Sequence, residues 1–308
     1  MELCVFTEPQ QGASYLQLLK MAQTAERCGY HAFFRSDHYL RMGHGSGLPG
    51  PTDAWVTLGA IARETSTIRL GTLVSAATFR LPGPLAITVA QVDEMSGGRV
   101  EFGLGTGWYE TEHTAYGIAF PPLKERFEIL DEQLAVITGL WATPVGDTFS
   151  FAGNHYHLAN SPALPKPQQS PVPVVIGGGG KRKTARLAAL YNREYNLAFR
   201  SLATFQAASD NVNRACEAIN RDPASLRRSA ALVVCCGRDQ AEVARRAARI
   251  GRDVEDLRTN GAVGSPAEVA ARVAEFRDAG AERMYLQVLD LDDLDHVELL
   301  AAEVMAVL

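Results

Sequence analysis

Arg99-Val-Glu-Phe-Gly-Leu-Gly-Thr-Gly-Trp-Tyr-Glu110 begins as a strand and ends as something else. Val100, Phe102 and Leu104 alternate with Arg99, Glu101 and Gly103, the two-residue period of a pleated strand. The stretch then runs into Gly105, Gly107 and the pair Trp108-Tyr109. Glycine has no Cβ, so backbone there can approach a flat ligand closely. One reading is the floor of a site; the other is a plain strand-to-helix turn.

Outward from this stretch, strand and helix patterns alternate along the chain. Strands are expected at residues 3–6, 31–35, 68–74, 99–104, 174–176, 195–199, 230–236 and 283–289. Helical patterns lie between them. One spans residues 14–28 with Gly29 at its end, and one follows Asp53 as N-cap. Another carries Phe127, Leu130, Leu134, Ile137 and Trp141 as a single apolar stripe. Residues 143–172 break the rhythm: aromatics alternate around Gly153-Asn154 as in a hairpin, and five prolines stiffen the return. Eight strands, each followed by helix, predict a (β/α)8 TIM barrel. It would be one domain over residues 1–308, with 143–172 inserted between the fourth helix and the fifth strand. A doubly wound open sheet is the alternative. In a barrel the sites lie where strands end, which draws attention to residues 36–39, 73–79, 105–112 and 177–184.

The chain has 308 residues, 46% hydrophobic and 21% charged, which suits a globular enzyme. A net charge of -5 gives no basic field for nucleic acid. No apolar run approaches the roughly 20 residues of a membrane helix, and the first residues read as strand rather than signal peptide. The five cysteines lack metal spacing and read as small hydrophobes, so a reducing cytoplasm is expected. His155 and His157 have no acidic or cysteine neighbour to complete a metal set. The arginines of residues 227–252 read as a solvated helix face.

Gly177-Gly-Gly-Gly-Lys-Arg-Lys-Thr184 follows a strand and opens a helix. Bare amides, a helix N-terminus and the cations Lys181, Arg182 and Lys183 make an anion site, with phosphate the natural occupant. The Walker spacing is absent. Asp37-His38 ends a strand; the histidine can exchange a proton near neutral pH. Neighbours in a strand face opposite ways, so the two side chains need not pair.

Several of these stretches together resemble the bacterial-luciferase-like superfamily, and within it the coenzyme F420-dependent oxidoreductases. They are Phe34-Arg-Ser-Asp-His-Tyr39, Arg69-Leu-Gly-Thr-Leu-Val74 with Thr78-Phe-Arg80, Ser96-Gly-Gly-Arg-Val100, Gly103–Glu110 with Glu112–Gly117, and Gly177–Gly180. The resemblance implies a deazaflavin at the strand C-termini and a non-proline cis peptide at Leu73-Val74 under its ring. It implies coenzyme contacts at Asp37, Leu73, Val74, Ser75, Ala76, Thr106, Gly107 and Thr111. It implies a phosphate site at Gly177, Gly178, Gly179, Gly180 and Lys181. His38 matches the active-site histidine of the sugar-phosphate dehydrogenases of that family. Those enzymes carry a catalytic glutamate directly after Gly-Thr-Gly, where this chain has Trp108, with Glu110 two residues on. Oxidation of glucose 6-phosphate is therefore not expected.

The reading expects a cytoplasmic oxidoreductase passing hydride between reduced coenzyme F420 and a small organic substrate, with an imine or activated C=C favoured. His38 is the proton donor, and Trp108 and Tyr109 form the substrate wall. The 40s loop and the 143–172 insertion are expected to build the substrate pocket. Relatives imply a homodimer. An FMN-dependent monooxygenase and a non-catalytic deazaflavin-binding protein are the alternatives.

Overall fold

The computed structural model describes residues 1–43, 46–179, 181–191 and 193–308. Its strands are β1 (Glu2–Thr7), β2 (Ala32–Arg35), β3 (Arg69–Thr72), β4 (Ser75–Ala76), β5 (Val100–Gly105), β6 (Phe149–Ala152), β7 (His157–Ser161), β8 (Val174–Gly177), β9 (Glu194–Ala198), β10 (Arg227–Cys236), β11 (Ala262–Gly264) and β12 (Arg283–Val288). The helices are α1 (Tyr15–Arg27), α2 (Ala54–Glu64), α3 (Pro82–Ser96), α4 (Glu110–Ala115), α5 (Leu123–Ala142), α6 (Arg182–Tyr191), α7 (Leu202–Glu217), α8 (Gln240–Arg249), α9 (Val254–Asn260), α10 (Pro266–Asp278) and α11 (Leu294–Leu299). β1, β2, β3, β5, β8, β9, β10 and β12 pair in parallel in that order, and β12 returns to β1. The sheet is a closed barrel, which excludes the open doubly wound alternative.

Local chemistry sets the element ends. Ser14 caps α1 in a reciprocal box with Gln17, and Asp53 accepts from the amides of Trp55 and Val56 at the start of α2. β10 begins at Arg227, three positions before the expected start, because its first residues pair with β9. α4, α9 and β11 were not expected: each is too short for a periodic pattern to show.

Inside the barrel, the end holding the strand N-termini is charged. Arg283 is 1% exposed on its side chain. It reaches Glu101 at 2.6 Å, Glu194 at 2.8 Å and Glu2 at 2.7 Å. Burial alone would raise the Glu101 carboxyl, but Arg283 and Arg69 hold it well below the usual carboxylate range. Above this layer lie Cys4, Phe6, Ala32, Phe34, Leu73, Val175, Ala231 and Tyr285, an apolar plug under the mouth.

Two expectations are corrected. Of the 227–252 arginines, Arg228 and Arg246 are only 7% and 5% exposed. Arg246 is held by Asp293 at 2.7 Å and Glu242 at 2.8 Å, so this stretch is not simply a solvated face. The insertion does form the β6–β7 hairpin, but it lies along the outside of α5. Glu132 on α5 accepts from the amides of Asn154, His155 and Tyr156, and the ring of Phe149 sits against Gly139. The return segment reaches the other end of the barrel, where Gln169 bonds Asp93 and the Val100 carbonyl. These contacts put the insertion on the flank rather than over the mouth.

Candidate active site

The mouth is organised by the chain after β3. Leu73-Val74 is joined by a cis peptide, as the resemblance implies, and β4 then pairs with the end of β5. Val74 leans across the barrel onto glycines. A Cβ built at Gly103 would stand 2.9 Å from a Val74 methyl, one at Gly105 likewise 2.9 Å, and one at Gly177 3.3 Å. A Cβ at Gly103 would also meet the Thr72 carbonyl oxygen at 1.8 Å. The glycines of the Gly103–Gly107 run therefore serve a different purpose from the one expected. Gly103 and Gly105 make room for Val74 and neighbouring backbone. The half-buried valine, not bare glycine, is what the strand end presents to the mouth. Gly107 has φ +72° and packs against Thr78, Ala76 and His113, a turn that favours glycine.

His38 stands at the rim with its side chain 14% exposed. Its Nδ1 is 2.8 Å from Oε1 of Glu112, whose side chain is 1% exposed. Glu112 Oε2 accepts from the Tyr39 amide at 3.0 Å. A carboxylate only accepts, so Nδ1 carries the proton and donates. Nε2 is left as the working nitrogen, with no hydrogen-bond partner among the described residues. Trp108 and Tyr109 flank the ring at centroid distances of 5.9 and 6.5 Å, both edge-on, and stack on each other at 5.3 Å. Trp108 is 65% exposed. Glu110, the carboxylate noted after the Gly-Thr-Gly, is exposed and makes no recorded hydrogen bond to His38. The sequence reading gave Glu112 no role. Its partner lies 74 residues away, and no local spacing reveals such a pair.

Asp37 and His38 lie past the end of β2 at Arg35 and take different partners. The Asp37 carboxylate accepts from Ser75 Oγ at 2.7 Å and Arg80 at 2.5 Å. Arg80 also binds Asp53 at 2.5 Å and the Tyr39 hydroxyl at 2.8 Å. Burial would raise the Asp53 carboxyl, yet Arg80 holds it below the usual range. With its side chain 0% exposed, Asp37 reaches the mouth through Ser75 and Arg80 rather than directly. His113 is also buried and closes both ring nitrogens, one on the Tyr109 carbonyl and one on Thr78 Oγ1, each at 2.7 Å. It ties the Gly-Thr-Gly turn to the loop after β4.

The glycine run leaves β8 beside Val74, so it starts at the mouth. Gly178 has φ +152°, and a Cβ at Gly179 would meet nothing within 4 Å. Gly180, also expected here, lies outside the described residues. Lys181, Arg182 and Lys183 are exposed, and the first turn of α6 holds no acidic residue. Cations at a helix N-terminus oppose the dipole, so this cradle suits an anion. Thr106 is half-buried with its hydroxyl on the Gly107 carbonyl at 3.3 Å, and Thr111 is exposed on α4.

The family profile described as luciferase-like monooxygenase matches residues 1–255. The F420-dependent glucose-6-phosphate dehydrogenase of Amycolatopsis mediterranei is 35% identical over 164 residues, 53% of this chain and 47% of that protein. The chain thus spans about half the length of the curated relatives it matches. Among solved structures, an F420-dependent secondary alcohol dehydrogenase in complex with an F420-acetone adduct superposes with a TM-score of 0.86 at 18% identity, over 100% of this chain and 99% of that one. A monooxygenase from Streptomyces bottropensis gives 0.81 at 21% identity, over 99% of both. At these identities the structural likeness shows the barrel.

Proposed function

The chain belongs to the luciferase-like monooxygenase family, and from that premise we propose a coenzyme F420-dependent oxidoreductase that acts on a small organic substrate, with reduction of an imine or activated C=C favoured. One observation carries this reading: the glycine run starts against Val74 at Gly177, and the exposed cations Lys181, Arg182 and Lys183 follow it at the start of α6. A group that is flat at one end and anionic at the other fits that arrangement. The relative's F420 dependence favours a deazaflavin over FMN, which remains the second reading because the family also holds monooxygenases.

In this reading Leu73, Val74, Ser75 and Ala76, with Thr106 and Gly107, support the ring, and Asp37 steadies that support through Ser75 and Arg80. Thr111 lies beside it on α4. Gly177 to Gly179 and Lys181 hold the phosphate. When bound, the reduced coenzyme supplies the hydride. His38 gives the accompanying proton from Nε2 when both ring nitrogens carry one, or through bare Nε2 orients the water that gives it, and Glu112 holds the ring so that Nε2 faces the mouth. Trp108 and Tyr109 shield that atom from water and form a wall for the substrate. No described helix is long and apolar enough to cross a membrane. A homodimer and a cytoplasmic location complete the proposal.

The test is a titration of purified protein with coenzyme F420 and with FMN, followed by absorbance. Preferential binding of the deazaflavin, and His38→Ala that still binds it but no longer turns over, are expected. Preference for FMN with oxygen consumption overturns the reading in favour of the monooxygenase. Deazaflavin binding with undiminished turnover in His38→Ala removes the role of His38.

A further inference from the structure

Phe199 and Gln287 carry an inference about the substrate, which rests on the functional reading above. Phe199 follows β9 directly and has φ +54°. A bulky side chain rarely accepts this left-handed backbone, and strained positions of this kind gather at functional sites. The reason for it here is directional. Ala198 packs with the interior cluster, so ordinary strand alternation would send the next side chain outward. The left-handed turn, pinned by the Phe199 amide on the Ala231 carbonyl at 2.8 Å, instead brings the ring to Phe6 at 6.3 Å. Phe6 belongs to the same interior cluster, and Phe199 stays 38% exposed. An aromatic face is thereby turned over the mouth.

Gln287 stands beside it. In register it pairs with Phe6 on β1 and Val233 on β10. It shares the inward face of β12 with Arg283 and Tyr285 by alternation. It is 4% exposed, and its side-chain amide has no hydrogen-bond partner among the described residues. It is not among the fully buried polar atoms that lack a partner, so the amide keeps contact with solvent at the mouth and is open to a ligand. The inward positions around it are Phe6, Ala198, Ala231 and Val233, none of them charged.

We propose that Phe199 and Gln287 select the substrate: the ring covers the apolar body of a neutral compound, and the amide makes one hydrogen bond to its carbonyl, imine or hydroxyl group. A phosphate or carboxylate on the substrate has no counter-charge among these inward positions and is rejected by desolvation.

The test is ligand-observed saturation-transfer NMR with the coenzyme-free full chain in excess inorganic phosphate, which occupies the cradle at Gly177–Gly179 and leaves only the Phe199–Gln287 subsite to be read. The probes are 2-cyclohexen-1-one and acetophenone as neutral compounds, and cyclohexanecarboxylate and glucose 6-phosphate as anions. The wild type is expected to saturate a neutral probe and neither anion. Phe199→Gly and Gln287→Leu are each expected to weaken the neutral probe by roughly tenfold. Phe199→Gly should fold at least as well as the wild type, because glycine accepts the left-handed backbone. Unchanged probe binding in both variants, no saturation of either neutral probe, or equal saturation of an anion overturns the proposal. Coenzyme F420 titration of the same proteins is a separate readout. If the wild type fails to bind the coenzyme, the functional reading falls, while the probe results still decide on the subsite.

Discussion

A methyl of Val74 lies 2.9 Å from the point where a Cβ on Gly105 would sit. No alanine can stand at 105 unless the valine moves. Gly105→Ala should therefore cost about 1–3 kcal/mol by overpacking, read as a fall in midpoint in denaturant. Val74→Ala vacates the space, so the double variant should be less destabilised than the sum of the two. Gly103→Ala provides the contrast. Its Cβ would meet the Thr72 carbonyl at 1.8 Å, which Val74→Ala cannot relieve. Additive costs for the 74/105 pair would show that the two residues do not share this space.

The Glu112–His38 contact makes a prediction about proton position. In Glu112→Gln the side-chain oxygen stays with the Tyr39 amide, so the new NH2 faces His38 Nδ1 and donates to it. The imidazole proton must then move to Nε2. The tautomer change is visible in the nitrogen chemical shifts of the ring. Turnover should lose part of the roughly 10²–10⁴-fold that positioned acid–base catalysis contributes, with coenzyme affinity unchanged. His38→Ala should fall to a floor that the double variant does not lower further. An unchanged ring spectrum in Glu112→Gln would remove the positioning role.

The barrel was legible because eight short apolar strand patterns, continuous in Leu3–Phe6 and alternating in Val100/Phe102/Leu104, are each followed by a helical pattern. The glycine run was legible because strand, glycines, cations and helix are contiguous in the chain. Pairs assembled by the closed barrel were not. Arg80 meets Asp37 across 43 residues and Glu112 meets His38 across 74, and neither distance leaves a periodic trace. The meaning of Gly103 and Gly105 was misread for a related reason. A glycine shows that something comes close, and only the fold shows that the neighbour is Val74 and backbone. The insertion was recognised by its turn and prolines, but its course was set by Glu132 and Gln169 contacts that local patterns do not contain.

The start of α6 predicts opposite effects on stability and binding. Lys181 and Arg182 gather positive charge where the helix dipole is already positive, a cost of about 0.3–1 kcal/mol each at low salt. Replacing both with alanine should leave the ligand-free thermal midpoint unchanged or slightly higher. The midpoint rise produced by coenzyme F420 should shrink, and more so as salt is lowered. A double variant that keeps the full coenzyme-induced rise would move the phosphate elsewhere.

His296 sets an acid limit on stability. It is buried, and its Nε2 accepts from the Cys236 amide at 2.9 Å. Burial, helped by the Arg246 charge, pushes its pKa down from the ordinary 6.5 to about 4. Between those two values the unfolded chain binds a proton that the folded chain refuses, so stability must fall as pH drops from 6.5 toward 4. The full loss is roughly 3 kcal/mol at its limit. Denaturant unfolding measured across that window should show the slope in the wild type. His296→Gln should be less stable near neutrality, where it loses the imidazole's fit, yet flatter in this window. An equally steep slope in the variant would assign the acid sensitivity to another group.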